Sequence, residues 1–220
     1  MAGKGFEEMV RGFPEAPLNR QLLQFMLRDY RHPARKINQL VKKQALIRVK
    51  NGLFVPGRNS SISGPEPVLT ANHLHGPSYI SLETALSYWG LIPERVYETC
   101  SVTVKRTKTY VTPIGRLSYR HAPLPYYSFG IKSVQLTSRQ VVMMASPEKA
   151  LCDKIVFTAG VIFGGVKPCR QFLVEDIRID DDALHELDWR QMESWAADSP
   201  KRNSIAMLAK TLRLFRQQRV

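Results

Sequence analysis

Arg35, Lys36, Gln39, Lys42 and Lys43 recur at intervals that would gather most of them on one side of a helix, and Arg48, Lys50 and Asn51 follow closely. On a helix turning about 100° per residue, Leu40 and Val41 fall within about 60° of Ile37, while Arg35, Gln39 and Lys42 lie opposite. Lys43 sits close to that polar side and Asn38 lies on the flank. Arginine can grip guanine O6 and N7 with two hydrogen bonds, asparagine or glutamine can do the same on adenine, and lysine suits phosphate oxygens. The spacing therefore suits duplex DNA. The same helix taken alone would serve equally well as the solvated face of a helical hairpin.

Other residue types invite a catalytic reading. His73 and His75 form an HxH pair that could ligate a metal if further ligands joined them. Glu148, Lys149 and Asp153 resemble the carboxylate–lysine sets of nucleases. Glu148 more simply satisfies the amides of a first helical turn. No GxxxxGK[ST], GxSxG or HExxH occurs. The expectation is no catalytic residue, no metal and no cofactor.

The elements that would position the basic residues can be read from the same stretch. Leu18, Leu22, Phe25 and Met26 follow Pro17 at helical spacing, and Phe6–Phe13 predicts another short helix. A second helix is expected from about Pro33 to Gln44. Ile47 and Val49 then alternate with Arg48 and Lys50, and Asn51-Gly52 is the favoured two-residue hairpin turn. In that register Val49 faces Phe54 on the apolar side, with Arg48 and Lys50 pointing out. Helices followed by a basic two-stranded wing make a winged helix-turn-helix, whose helix enters the major groove.

Charge supports this localisation. The chain of 220 residues carries a formal net charge of +13. Residues 1–60 hold 12 Lys/Arg against 4 Asp/Glu, residues 61–200 hold 14 against 15, and residues 201–220 hold 6 against none. Two basic ends flank a neutral middle, which favours a polyanion at the ends. The three cysteines form no CxxC pair, the start carries no apolar leader, and the longest apolar run has about 12 residues. These features predict a cytoplasmic protein with no membrane partner.

Gly57–Pro67, rich in Ser, Gly and Pro, reads as a linker. The expected divisions are a winged-helix domain at 1–57, a linker at 58–67, a second domain at 68–200 and a basic helix at 201–220. Within the second domain, Ser81-Leu82-Glu83 reads as a helix start and Gly90 as its stop. SVTVKRTKTYVT, RLSYRH and Val141–Ala145 read as strands, and Ser146-Pro147-Glu148 begins a helix. Tyr79, Leu82, Leu86 and Trp89 look like core, and Cys152 like a small buried hydrophobe. In the tail, Ile205, Leu208, Leu212 and Phe215 form an apolar stripe. Lys210, Arg213, Arg216 and Arg219 lie elsewhere on that helix, as a solvated face or as accessory nucleic-acid contacts.

The basic stretch, followed by GPSYISLETAL, GLIPE and SPEKAL in order, resembles the AbiEi family of bacterial abortive-infection antitoxins over residues 33–160 or so. The resemblance implies an α+β fold: an N-terminal winged helix-turn-helix, then an α/β antitoxin domain with a mixed or antiparallel sheet and C-terminal helices. It implies a DNA-binding autorepressor that recognises inverted repeats in its own promoter. It also implies a functionally paired nucleotidyltransferase-like toxin in a type IV system, where no stable toxin–antitoxin complex is required. By position, Arg35, Lys36, Gln39, Lys42 and Lys43 match the family's recognition helix, and Arg48, Lys50 and Asn51 its wing. The separation between the two N-terminal helices is only five residues, and the last 60 residues carry none of the family's motifs. Two alternatives remain at this stage: a nucleic-acid-acting enzyme using Glu148 and Asp153, or a protein that neutralises a partner toxin by binding it.

Overall fold

The computed structural model describes residues 15–217. The expected helix at Phe6–Phe13, and Arg219 of the tail, lie outside the described residues.

Strand β1 (Leu18–Asn19) leads into helix α1 (Arg20–Met26), which starts because the Asn19 side chain accepts the Leu22 amide at 2.7 Å. This start differs from the expected pattern. Leu18 belongs to the strand, opposite Phe54, and the buried face of α1 is Leu23 and Met26, with Leu27 just beyond. Phe25 is left 58% exposed. Helix α2 (Pro33–Lys42) has proline at its first position, where a missing amide costs nothing, and ends two residues earlier than expected because Gln44 takes a left-handed φ of 56°. Strands β2 (Leu46–Lys50) and β3 (Leu53–Pro56) form the wing, and β1 adds to β3 to give a three-stranded antiparallel sheet. Leu18, Leu23, Met26, Leu27, Ile37, Leu40, Leu46 and Phe54 make one small core beneath α1 and α2.

The register of the wing departs from the expected one. Arg48 pairs with Phe54 and Lys50 with Leu53, with a bulge between them, and only Gly52 of the turn has positive φ, at 85°. The bulge puts Val49 and Phe54 in different cores. Val49, Leu53 and Val55 join the large core of the second half, while Phe54 faces α1 and α2. The wing is thus a shared wall, apolar toward both halves of the molecule. At its far end Gly57 runs against Gln44, where an added Cβ would meet the Gln44 carbonyl oxygen at 2.0 Å.

The second half is built on a six-stranded mixed sheet of order β6-β7-β5-β4-β9-β8. Its strands are β4 (Ser78–Ile80), β5 (Thr99–Thr103), β6 (Lys108–Thr112), β7 (Gly115–His121), β8 (Ile131–Thr137) and β9 (Gln140–Ala145). β4/β9 and β5/β7 are parallel, and the other pairs antiparallel. Pro113-Ile114-Gly115 turns β6 back into β7, and this hairpin inserts β7 beside β5 and leaves β6 as an edge. β9 leaves Val141 and Met143 about half exposed and buries Val142, Met144 and Ala145.

Helices α3 (Pro67–Leu74), α4 (Leu82–Tyr88) and α5 (Pro147–Phe157) supply the neighbouring layer. The Ser146 hydroxyl accepts the Lys149 amide at 3.2 Å and caps α5 as the sequence suggests. Toward the C-terminus come α6 (Val166–Gln171), a π-helical turn at Phe172–Asp176, α7 (Asp181–Glu186), α8 (Trp189–Trp195) and α9 (Arg202–Gln217). The Asp180 and Asp188 side chains cap α7 and α8 by accepting the Asp182 and Arg190 amides. Ile205, Leu208, Leu212 and Phe215 of α9 are all buried. The chain is therefore a mixed α+β protein with a winged helix-turn-helix, a mixed sheet and C-terminal helices.

Candidate nucleic-acid interface

Burying Ile37 and Leu40 fixes the rotation of α2 and turns its other side outward. Arg35, Gln39, Lys42 and Lys43 are exposed there, and none of the three cations pairs with a carboxylate among the described residues. Lys36 is half-buried instead, its ammonium 4.6 Å from the centre of the Tyr30 ring. That places it on the shoulder of the row. Asn38 and Arg48 engage each other: an Arg48 Nη2 hydrogen is donated to Asn38 Oδ1 at 3.0 Å, tying the helix to the wing. The Arg48 guanidinium also lies 5.6 Å from the Phe54 ring centre, a cation–π contact that holds the side chain upright. Asn51 is exposed at the wing tip.

Lys50 differs from expectation. The Arg48–Lys50 bulge aims it at the second half, where its ammonium donates to the Leu74 carbonyl oxygen. Burial pulls its pKa down, helped by the nearby Lys105 and Lys108. It braces the junction between wing and sheet.

In the tail, Lys210, Arg213 and Arg216 are exposed along α9. The Arg213 guanidinium is 5.7 Å from the Trp189 ring centre. These cations form a row on the C-terminal helix, opposite the stripe that anchors it.

The residues considered for catalysis are placed quite differently. Lys149 and Asp153 are 0% exposed and paired at 3.1 Å, one turn apart on α5. Asp153 also accepts hydrogen bonds from the hydroxyls of Tyr79 at 3.0 Å, Ser81 at 2.7 Å and Tyr126 at 2.9 Å. Lys149 donates as well to the Tyr126 carbonyl oxygen at 2.9 Å. Burial lowers the Lys149 pKa against the opposing pull of Asp153, and burial followed by the Asp153 charge raises both tyrosines. Both carboxylate oxygens are used, and neither side chain can touch a substrate. Ser81 holds the N-cap position of α4 with Glu83 in the first turn, as read, but its hydroxyl is drawn into this network and makes no capping bond. Glu148 accepts the Asp188 amide at 3.3 Å and links α5 to α8.

His73 is exposed. His75 lies against Tyr110 and Tyr119, with its Nε2 3.3 Å from the Arg106 carbonyl oxygen. Among the described residues no three His, Cys, Asp or Glu side chains converge as metal ligands would. Cys152 is buried and its thiol is pushed up in pKa by that burial. A cleft of about 570 Å³ lies between α4, α5 and the π-helical turn. Three of the carboxylates along its wall, Glu83, Glu94 and Glu98, are paired with Lys154, Arg178 and Arg116. No helix of the described residues is long and apolar enough to cross a membrane.

No protein-family model matches the chain, and no curated protein matches it. Among solved structures, the crystal structure of the RV2827C protein from Mycobacterium tuberculosis is similar, with a TM-score of 0.61. The two share 13% identity, and the match covers 93% of this chain and 74% of that one. At that identity the likeness concerns the fold.

Proposed function

We propose that this chain is a sequence-selective duplex-DNA-binding protein of AbiEi type, acting in the cytoplasm as an autorepressor and antitoxin. Its operator would be an inverted repeat in its own promoter, and its functional counterpart a nucleotidyltransferase-like toxin. The observation that carries the reading is the outer face of α2. Arg35, Gln39, Lys42 and Lys43 stand exposed, and without acidic partners among the described residues, above a buried Ile37–Leu40 underside. Arg35 and Gln39 are the base-reading candidates, Lys42 and Lys43 the phosphate contacts, and Arg48 and Asn51 follow the backbone from the wing. Lys36, Asn38 and Lys50 hold these groups in place rather than reaching DNA first. The reading assigns no catalysis and no cofactor.

A gel shift of the upstream promoter region by the whole chain tests the proposal. Retention of that fragment at salt where a scrambled fragment is released supports it. Equal retention of both fragments, or of neither, overturns it.

A further inference from the structure

The near-neutral charge of the middle of the chain conceals a sorting. Residues 99–147 contain no Asp or Glu and seven Lys or Arg, while residues 148–200 carry eleven acids. The acid-free stretch supplies five strands of the large sheet, β5 to β9. Acidic side chains are left to the helices and to the turns around them.

One corner of that sheet borders the wing. Lys50 reaches the Leu74 carbonyl at the end of α3, and the next residue, His75, contacts the Arg106 carbonyl. Around this junction Lys105 and Arg106 of the β5–β6 loop, and Lys108 at the start of β6, are exposed, and none pairs with a carboxylate among the described residues. The loop is held firmly. Its Lys105 amide donates to Thr103 Oγ1 at 3.1 Å, and that hydroxyl donates to the Pro77 carbonyl at 2.7 Å. The His121 amide donates to Thr107 Oγ1 at 3.1 Å, and His121 Nδ1 lies 3.1 Å from the Lys105 carbonyl. The Lys108 ammonium rests 4.7 Å from the Tyr110 ring centre.

Gathering like charges on a fixed loop is unfavourable in the free protein and becomes favourable when a polyanion neutralises them. Lys105 and Lys108 lie close enough to Lys50 of the wing to act on its charge, so the polyanion that fits is the duplex proposed for the winged helix. We propose that Lys105, Arg106 and Lys108 form a second phosphate-contact site, which extends the DNA footprint past the wing onto the sheet. This inference rests on the DNA-binding reading above and deepens it.

The test uses the whole chain and a duplex carrying the upstream repeat. A variant with Lys105→Ala, Arg106→Ala and Lys108→Ala should lose nearly 3 units from the slope of log K against log salt, at about 0.9 per contact. Raising salt fourfold, from about 50 to 200 mM, should therefore weaken this variant about 40-fold less than the wild type. Protection from hydroxyl radicals should shorten on one flank of the repeat, and preference for the repeat over a scrambled duplex should persist. Lys108→Ala alone, the mildest change, should remove about 0.9 of slope. Arg35→Ala separates the two claims, since it should erode preference instead. If Arg35→Ala acts so while the loop variants keep the wild-type slope and footprint, the second site is wrong and the winged-helix reading stands. If the wild type ignores the duplex, both fall. A loop effect seen only on anionic vesicles or single-stranded RNA also overturns the inference.

Discussion

Replacing Asp153 by alanine removes the acceptor on which four groups converge. Tyr79, Ser81 and Tyr126 lose their hydroxyl acceptor, and Lys149 keeps only the Tyr126 carbonyl. Breaking a buried ion pair by deleting one member costs about 3–5 kcal/mol. Each stranded hydroxyl adds roughly 1–3 kcal/mol where no water reaches it. The loss should be at least about 5 kcal/mol, comparable with the whole stability of many domains, about 5–15 kcal/mol. Urea unfolding followed by tryptophan fluorescence would show a transition shifted far to low denaturant, or none. Lys149→Met with Asp153→Leu removes both charges and keeps the volume, so it should be more stable than Asp153→Ala by about 2 kcal/mol or more. An Asp153→Ala protein within about 1 kcal/mol of wild type would refute the argument, since one orphaned buried hydroxyl alone should exceed that. So would a folded Asp153→Ala protein that had lost a metal-dependent nuclease turnover shown by the wild type.

Three further outcomes can be checked by denaturation or calorimetry. Gly130→Ala should destabilise by about 2–4 kcal/mol: φ is 60°, and a Cβ would lie 2.7 Å from Lys149 Cβ and 2.8 Å from Trp195 Cη2. Lys201→Met should cost about 1–3 kcal/mol, because the ammonium donates to the Ile155, Thr158 and Val161 carbonyls where α5 ends. Burial first, then Lys105, Lys108 and Lys50, hold the His75 pKa below its ordinary value despite the Arg106 contact. The unfolded chain therefore binds more protons below about pH 6.5, so the His75 contribution to stability is lost as pH falls through that region, and His75→Gln should flatten the dependence.

Much of the local architecture was legible because its signals are short-range. Pro33 and the Ile37–Leu40 spacing mark α2, Ser146-Pro147-Glu148 marks α5, and the Ile205–Phe215 stripe marks α9. What escaped depends on distant partners. Ser81 looks like a helix cap until Asp153, 72 residues away, claims its hydroxyl. Glu148, Lys149 and Asp153 look like a nuclease set until the sheet closes over them. The parallel β5/β7 pairing leaves no trace in a hairpin whose own turn is obvious. In the candidate interface, the exposed basic face of α2 could be read because one helix carries both its anchor and its charges. Lys50 could not, since a single bulged residue reverses its direction. The β5–β6 loop was hidden by averaging its charge with that of the acidic helices.

The most direct measurement is the specificity ratio of the whole chain, its affinity for the upstream repeat divided by that for a scrambled duplex at fixed salt. The account predicts a ratio well above one that Arg35→Ala and Gln39→Ala each reduce by roughly 1–3 kcal/mol, while Lys42→Ala weakens both duplexes alike. A ratio unchanged by Arg35→Ala and Gln39→Ala would contradict the claim that α2 reads the sequence.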